Sequence, residues 1–331
     1  MVTFSSNRLN DLVESFKKRR IAVVGDVMID SYVWGSVSRI SPEAPVPVVE
    51  VEKETVRLGG AANVANNIKS LGGEPLLLGV VGNDANGALL SNLLKDQGCT
   101  ADGIVADPGR PTTIKTRVIA HNQHVVRIDN EQKGGISPGV EEKLLSVFEN
   151  NINAIDGVIL EDYNKGVIVT SLIERVISIA NKHRKVVTVD PKFQNFFEYR
   201  NVSVFKPNKK EVEEALGIKI GTEADVDAAV KTLKERLRAG NILLTRGEQG
   251  MTLLDSDNII HHLPTRALRV ADVSGAGDTV IATLTMALTS GASVHESAAL
   301  ANFAGGVVCG EVGIVPIRPN ALLSSIASHQ S

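Results

Sequence analysis

The chain has 331 residues, 43% of them hydrophobic, 22% charged and only 4% aromatic, with 29 glycines. That length holds one large domain or two ordinary ones, and the composition excludes wholesale disorder, collagen and a coiled coil. Lys and Arg total 35 against 38 Asp and Glu, a net charge of -3, so no global field draws nucleic acid or an anionic membrane, and any anion must be caught locally.

Along the chain, Lys17 to Arg20 precede the apolar run Ile21-Ala22-Val23-Val24, which is too short for a secretory leader and stops at Gly25-Asp26. The basic residues read as a helix end and the run as a buried strand. Further runs of this kind are Leu76-Leu77-Leu78, Val158-Ile159-Leu160 ending in Glu161-Asp162, Val186 to Val189 ending in Asp190-Pro191, and Asn241 to Leu244 ending in Thr245-Arg246-Gly247. Apolar runs that end in Gly, Asp or Thr suit a parallel sheet whose carboxyl ends carry a site. Helical spacing fills the gaps at Gly60 to Leu71, Ala85 to Leu94, Val140 to Phe148, Thr170 to Ala180 and Ala224 to Leu237. The fold class is therefore α/β, a mostly parallel sheet with helices on both faces.

Two stretches break the alternation. Val46 to Val51, and the pair Thr112 to Ile119 and Val125 to Ile128, read as extended segments without helices between them. They predict a small antiparallel sheet, a lid drawn from about 33–56 and 110–130 of a single domain spanning 1–331. Thr279 to Gly310 holds one carboxylate, Glu296, but Thr289 to Ser293 splits it into two segments too short to cross a bilayer, so two buried helices are expected and no membrane partner. Cys99 and Cys309 stand far apart with no second thiol nearby, which argues against a disulfide framework or a cysteine-ligated zinc and fits a reducing cytoplasm. His121 and His124, and the pair His261-His262, lack a third ligand in any recognised metal pattern and read as loop or strand-surface residues.

The strongest motif is Asp272-Val273-Ser274-Gly275-Ala276-Gly277-Asp278-Thr279 ahead of a helix. The amides of Gly275, Ala276 and Gly277 would form an anion hole at the helix N-terminus. A carboxylate among them, Asp278, repels a phosphate but makes sense as the base that takes a proton from an attacking hydroxyl; a plain helix cap is the competing reading. Val280 stands where a dinucleotide fingerprint needs a third Gly or Ala, and no Gly-Lys dipeptide exists to make a Walker A loop. Leu58-Gly59-Gly60-Ala61-Ala62-Asn63 pairs glycines with an amide suited to a polyhydroxylated ligand, or simply a small-residue helix with a local cap. Asp26 and Asp30 can accept bonds from sugar hydroxyls or make Asx turns. Asn208 and Glu211, one helical turn apart, suit a hydrated magnesium ion or, equally, a capping box.

Taken in order, Gly59-Gly60-Ala61-Ala62-Asn63, Asn208-Lys209-Lys210-Glu211, Thr245-Arg246-Gly247 and Asp272 to Asp278 resemble the ribokinase-like (PfkB) family of sugar kinases over essentially the whole chain. Within it, Arg39 to Val48, Asp162-Tyr163-Asn164-Lys165-Gly166 and Asp190-Pro191-Lys192 are similar to the heptose 7-phosphate kinases of lipopolysaccharide precursor synthesis, in a stand-alone form without the adenylyltransferase domain of the bifunctional version. The resemblance implies ATP and Mg2+ as cofactors, with Asp278 as base and Gly275 to Gly277 as the hole for the transferred phosphoryl group. It puts Asn208 and Glu211 at magnesium and the ATP phosphates, and Thr245, Gly247, Asn302 and Gly305 around the nucleotide. Asp30, Gly59, Gly60 and Asn63 would grip the sugar, with Asp26 beside them. Many members carry Thr where Val273 stands, and Met28 replaces a polar residue frequent in ribokinases proper, which argues against ribose. For the phosphate of a sugar phosphate, Arg117, Arg127, Lys165 and Lys192 are the charge-assisted donors within reach of the sheet's carboxyl edge or the lid. A homodimer through the uncovered apolar lid strands is expected. Two alternatives stay open: another sugar or sugar-phosphate kinase of the same fold, and a nucleotide-binding regulator without catalysis.

Overall fold

The computed structural model describes residues 4–121, 123–267 and 270–330. Asn122, in the link between the two extended segments read from the sequence, lies outside the described residues. In chain order the strands are β1 (Arg20–Gly25), β2 (Val27–Ile40), β3 (Pro47–Gly60), β4 (Glu74–Val81), β5 (Ile104–Ala106), β6 (Ile114–Ala120), β7 (Gln123–Asn130), β8 (Gly157–Glu161), β9 (Val186–Asp190), β10 (Val204–Phe205), β11 (Asn241–Thr245), β12 (Met251–Leu254) and β13 (Ile260–Leu263). The helices are α1 (Ser6–Ser15), α2 (Ala61–Ser70), α3 (Ala85–Asp96), α4 (Pro138–Asn151), α5 (Thr170–Lys182), α6 (Lys209–Leu216), α7 (Glu223–Leu237), α8 (Ala276–Thr289), α9 (Val294–Val308) and α10 (Pro319–Gln330).

Nine strands form the main sheet in the order β13-β12-β11-β10-β9-β8-β1-β4-β5, parallel from β11 to β5 and closed at the other edge by the antiparallel β12–β13 hairpin. Side chains alternate across a strand, and here both faces are apolar. Ile21 and Val23 of β1, Ile159 of β8 and Leu243 of β11 point into one core with α2, α8, α9 and α10. Ala22 and Val24, Val158 and Leu160, and Ile242 and Leu244 point into the other, with α4, α5 and α7. The segment 279–310 forms the two buried helices α8 and α9, and among the described residues no helix is long and apolar enough to cross a membrane.

The second sheet has the order β3-β2-β6-β7. Its outer pairings, β3 with β2 and β6 with β7, are antiparallel, and the central β2–β6 pairing is parallel. It starts earlier than the sequence suggests: β2 begins at Val27, directly after Asp26, because no turn separates it from β1. The 14-residue β2 was hidden by Gly35, three serines and two bulges that spoil its alternation. Gly59 and Gly60 end β3, where the chain passes so close to the start of β2 that a Cβ on Gly59 would lie 2.1 Å from Asp30 Oδ2 and one on Gly60 2.4 Å from the Asp26 carbonyl. Gly60 also holds φ +56°, which favours glycine.

Candidate active site

The site lies where β8 and β9 end and α8 begins. Gly275, at φ +77°, is the N-cap of α8, so Ala276, Gly277 and Asp278 are its first three residues; the Ala276 amide donates to the Val273 carbonyl at 3.3 Å, while those of Gly277 and Asp278 have no partner in a preceding helical turn. A Cβ on Gly275 would lie 2.9 Å from Asn63 Nδ2, which makes the glycine a requirement of packing as well as of φ. Asp278 is 2% exposed. Its Oδ2 accepts from Asn63 Nδ2 at 2.7 Å and its Oδ1 from the Tyr163 hydroxyl at 2.8 Å. Burial raises its carboxyl to about 6 against these two donors, which favour the charged form. It makes no bond to its own helix's amides of the kind a cap would make. Asn63 is fully buried and held in turn by Asn67, whose Nδ2 donates to the Asn63 carbonyl at 2.9 Å.

Two further carboxylates converge on Asp278. One oxygen each of Glu161, at the end of β8, Asp190, at the end of β9, and Asp278 lie within 4.8 Å of one another, and all three residues are buried. Asp190 Oδ2 is paired with the buried Lys206 ammonium at 2.6 Å. Both oxygens of Glu161 are buried without a hydrogen-bond partner, and burial together with Asp190 and Asp278 holds its carboxyl well above the usual range. A cation or a proton must satisfy that group, since a bare buried carboxylate is costly. Oxygen-only ligands with room for water are the chemistry magnesium prefers. The donor set therefore fits a magnesium ion.

The other residues singled out from the sequence divide into those the fold brings to this centre and those it occupies elsewhere. Asn208 and Glu211 make a capping box, Glu211 N to Asn208 Oδ1 at 3.0 Å and Asn208 N to Glu211 Oε2 at 2.8 Å, and the remaining Glu211 oxygen accepts from Lys192. Although burial opposes its charge, Asp190 and Glu211 hold the Lys192 ammonium above its ordinary range. Lys192 thus links the start of α6 to the acidic centre. Thr245 bridges to Asn208 across adjacent strand ends, and Gly247, at φ +59°, follows it. Asn302 donates to the Pro264 carbonyl at 2.8 Å and lines a cleft of about 300 Å3 with Leu263, Arg266 and Phe303. Gly305 instead serves helix packing, since a Cβ there would lie 2.9 Å from Val280 of α8.

Asp26 is spent on backbone. Its Oδ2 accepts from the amides of Tyr163 at 2.8 Å and Lys165 at 3.0 Å, and its Oδ1 from Val167 at 3.0 Å, which leaves it a clamp for the loop carrying Tyr163. Burial and the neighbouring Asp162 raise its carboxyl to about 6. Lys165 is paired with Glu131 at 2.7 Å, and Arg127 lies exposed on the edge strand β7, paired with Asp129 at 2.9 Å. Asp30 pairs with Arg117 from β6, whose guanidinium lies 5.3 Å from the Tyr32 ring centre. Arg117 and Tyr32 line a cleft of about 480 Å3 on the second sheet, which Asp272, Ser274 and Gly313 also line. Arg57, unnoticed in the sequence, lies in the same cleft and donates to the Ile314 carbonyl. Tyr163, Glu161, Asp190 and Lys206 were likewise passed over. The first three stand at or just beyond strand ends, a signal that was legible, but only the fold brings 161, 190 and 278 together.

The sequence matches the pattern of "pfkB family carbohydrate kinase" over residues 18–320. It is 44% identical over 295 residues to the bifunctional protein HldE of Helicobacter pylori strain 26695, covering 89% of this chain and 64% of that protein, and 41% identical to HldE of Geobacter metallireducens, covering 93% and 63%. The chain thus spans less than two thirds of the length of these curated relatives. In structure it is similar to phosphofructokinase-2 from Escherichia coli in complex with potassium, with a TM-score of 0.77 at 20% identity over 95% of this chain and 99% of that one. It is also similar to Arabidopsis thaliana ribokinase complexed with ribose and ATP, with a TM-score of 0.74 at 20% identity over 93% and 98%. A ribokinase-like fold, an amide-lined helix start bearing a buried carboxylate, and a family match over nearly the full length lead to one assignment: the chain belongs to the pfkB family of carbohydrate kinases and is an ATP-dependent sugar kinase.

Proposed function

We propose that the chain transfers the terminal phosphoryl group of ATP to the anomeric hydroxyl of D-glycero-D-manno-heptose 7-phosphate, giving the 1,7-bisphosphate. The observation that carries the transfer step is Asp278, a buried carboxylate on the first turn of α8 beside the amides of that helix start. Ionised, it takes the proton of the attacking hydroxyl. The amides of Gly275, Ala276 and Gly277, with Lys206 next to Gly277, face the charge that builds on the transferred group. Asn63 and Tyr163 fix the direction of the carboxylate. Glu161 and Asp190, with Asn208 and Glu211 through water, would hold magnesium, which supplies neutralisation of phosphate charge when bound.

The substrate class is supported by the similarity to HldE proteins at 41–45% identity and by the cationic cleft beside the site. Arg57 and Arg117 each use part of their five donors on protein and keep the others for a phosphate, so they are better placed for the distal phosphate than the paired Lys165 or the outlying Arg127. Asp30 and Gly59 border the sugar. The nucleotide enters over Thr245, Gly247 and the Asn302 cleft. The outer face of the second sheet leaves Ile40, Val51, Val126 and Ile128 exposed, at 49–60%, which supports a homodimer through it; a monomer by sedimentation at micromolar concentration would remove that part.

A panel of sugar phosphates with ATP and magnesium tests the whole. Preferred turnover of heptose 7-phosphate supports the reading. Preference for fructose 6-phosphate identifies a different sugar-phosphate kinase, and no turnover with any member removes the sugar-phosphate reading of the substrate.

A further inference from the structure

Away from the phosphoryl-transfer centre, three residues from separate elements meet at the edge of the main sheet. Asp255 directly follows β12, His261 lies on β13, and His295 lies on the first turn of α9. Asp255 is 3% exposed, and its Oδ1 accepts from the amides of Asp257 at 3.0 Å and Ile259 at 2.9 Å. Those bonds fix the carboxylate so that Oδ2 faces both imidazoles, 3.1 Å from His261 Nε2 and 3.2 Å from His295 Nε2. The two rings stand edge to face with centres 3.9 Å apart.

An ordinary hydrogen-bonded trio explains only part of this. His261 makes its bond to Asp255, but His295 Nε2, buried at the atom, has no hydrogen-bond partner despite its proximity. An orphaned buried polar atom costs ~1–3 kcal/mol, so a native protein rarely keeps one without a use. The three ligand atoms lie within 4.8 Å of one another. Around a tetrahedral ion with bonds of ~2.0–2.1 Å, neighbouring ligands lie ~3.3 Å apart, close to both observed separations.

We propose that Asp255, His261 and His295 bind a divalent transition-metal ion of the zinc type. Two imidazoles and one carboxylate favour zinc, nickel or cobalt over magnesium or calcium, which take oxygen ligands. The amides on Asp255 Oδ1 supply the outer contacts that orient a ligating carboxylate. Three protein ligands leave a fourth position for water, and both histidines line the same cleft as Asn302. The ion fastens the edge hairpin β12–β13 to the start of α9. Of the neighbouring charged groups, Lys234 donates to the Asp255 carbonyl, to the Ser256 carbonyl at 3.1 Å and to Asn258 Oδ1 at 2.9 Å, Arg266 lies over the Phe303 ring, and His262 faces Glu223 at 3.4 Å and Asp227 at 3.5 Å.

The test uses the untagged chain stripped with a chelator, dialysed against zinc alone and titrated with cobalt alone. The wild type should bind one more zinc per chain than His261→Ala or His295→Ala, and its cobalt form should show visible absorption that both variants lose. Losing one direct ligand should weaken this site by about 100-fold or more. His295→Gln guards against a packing artefact by keeping a polar side chain. The neighbouring His262→Ala should bind as the wild type does. Zinc affinity and stoichiometry that are the same in the wild type and the His261/His295 double variant would overturn the proposal, as would no binding at millimolar zinc. Metal taken up by the carboxylates around Asp278 persists in the double variant and is thereby separated, so the outcome is independent of the kinase reading.

Discussion

Replacing Asp278 by asparagine changes the charge of the site and little of its shape. The new amide can accept from Asn63 through oxygen and donate to the Tyr163 oxygen, whose hydroxyl is free to rotate, so both present contacts survive. The base is lost, and kcat should fall by ~10²–10⁴ while ATP and sugar bind nearly as before. Stability should move the other way. A carboxyl raised from 3.8 to about 6 favours the protonated form in the folded state, so its charge costs the fold nothing below the unfolded value and costs it fully once pH rises above about 6. At ~1.4 kcal/mol per pH unit the penalty is ~3 kcal/mol, and asparagine removes it. Thermal melts of both proteins should therefore separate at pH 8, with the variant the more stable, and converge near pH 4. Asp26, raised in the same way, is common to both and cancels. A variant that melts lower at pH 8 and loses ATP affinity would refute the charge argument and make Asp278 a structural cap; near-normal kcat would refute the base.

The wild-type kcat should decline on the acid side of about pH 6, because the base works only when ionised; a flat profile down to pH 5 contradicts this. Tyr163→Phe removes a donor that favours the Asp278 charge, so the acid limb should shift upward by about one pH unit with kcat lowered at pH 6.5, whereas a merely structural tyrosine would lower the melting temperature and leave the limb in place. Arg57→Ala and Arg117→Ala should each raise KM for the sugar phosphate ~10–100-fold with little change in kcat, and Arg127→Ala should do nothing, as steady-state kinetics would show. Glu161→Gln should raise the magnesium concentration needed for half-maximal rate by ~10-fold or more, and an unchanged magnesium dependence would exclude that residue from the metal.

The elements most legible in the sequence are those whose two faces are both buried. The runs at 21–24, 158–160 and 241–244 are apolar almost throughout, and helices such as α7 announce themselves by the helical spacing of their buried residues Val226, Ala229, Val230, Leu233 and Leu237. β2 was obscure because it lies between core and solvent, and its outer half turns exposed where the bulges fall. The hairpin β12–β13 gave short, mixed segments. At the site, Asp278 and the glycines are contiguous, so their chemistry is local. Glu161 and Asp190 acquire theirs only from β8 and β9 being neighbours, and Asp26 is equally plausible on paper as a sugar ligand until the amides of residues 163–167 close around it.

That enclosure of Asp26 bears on how the two sheets can move. Its amide donates to the Glu161 carbonyl at 3.2 Å, its carbonyl accepts from Ala61 at 3.0 Å, and its side chain holds the loop behind it. The junction from β1 to β2 is thus welded on three sides and cannot act as a hinge. The compliant points are further out, at the bulges between Trp34 and Gly35 and between Val37 and Arg39. Bending there would move the tip of the second sheet, while Asp30 and Arg57, opposite each other in the β2–β3 register, lie on the base side of both bulges. The protein would meet its substrate with a preset palm and flexible fingertips.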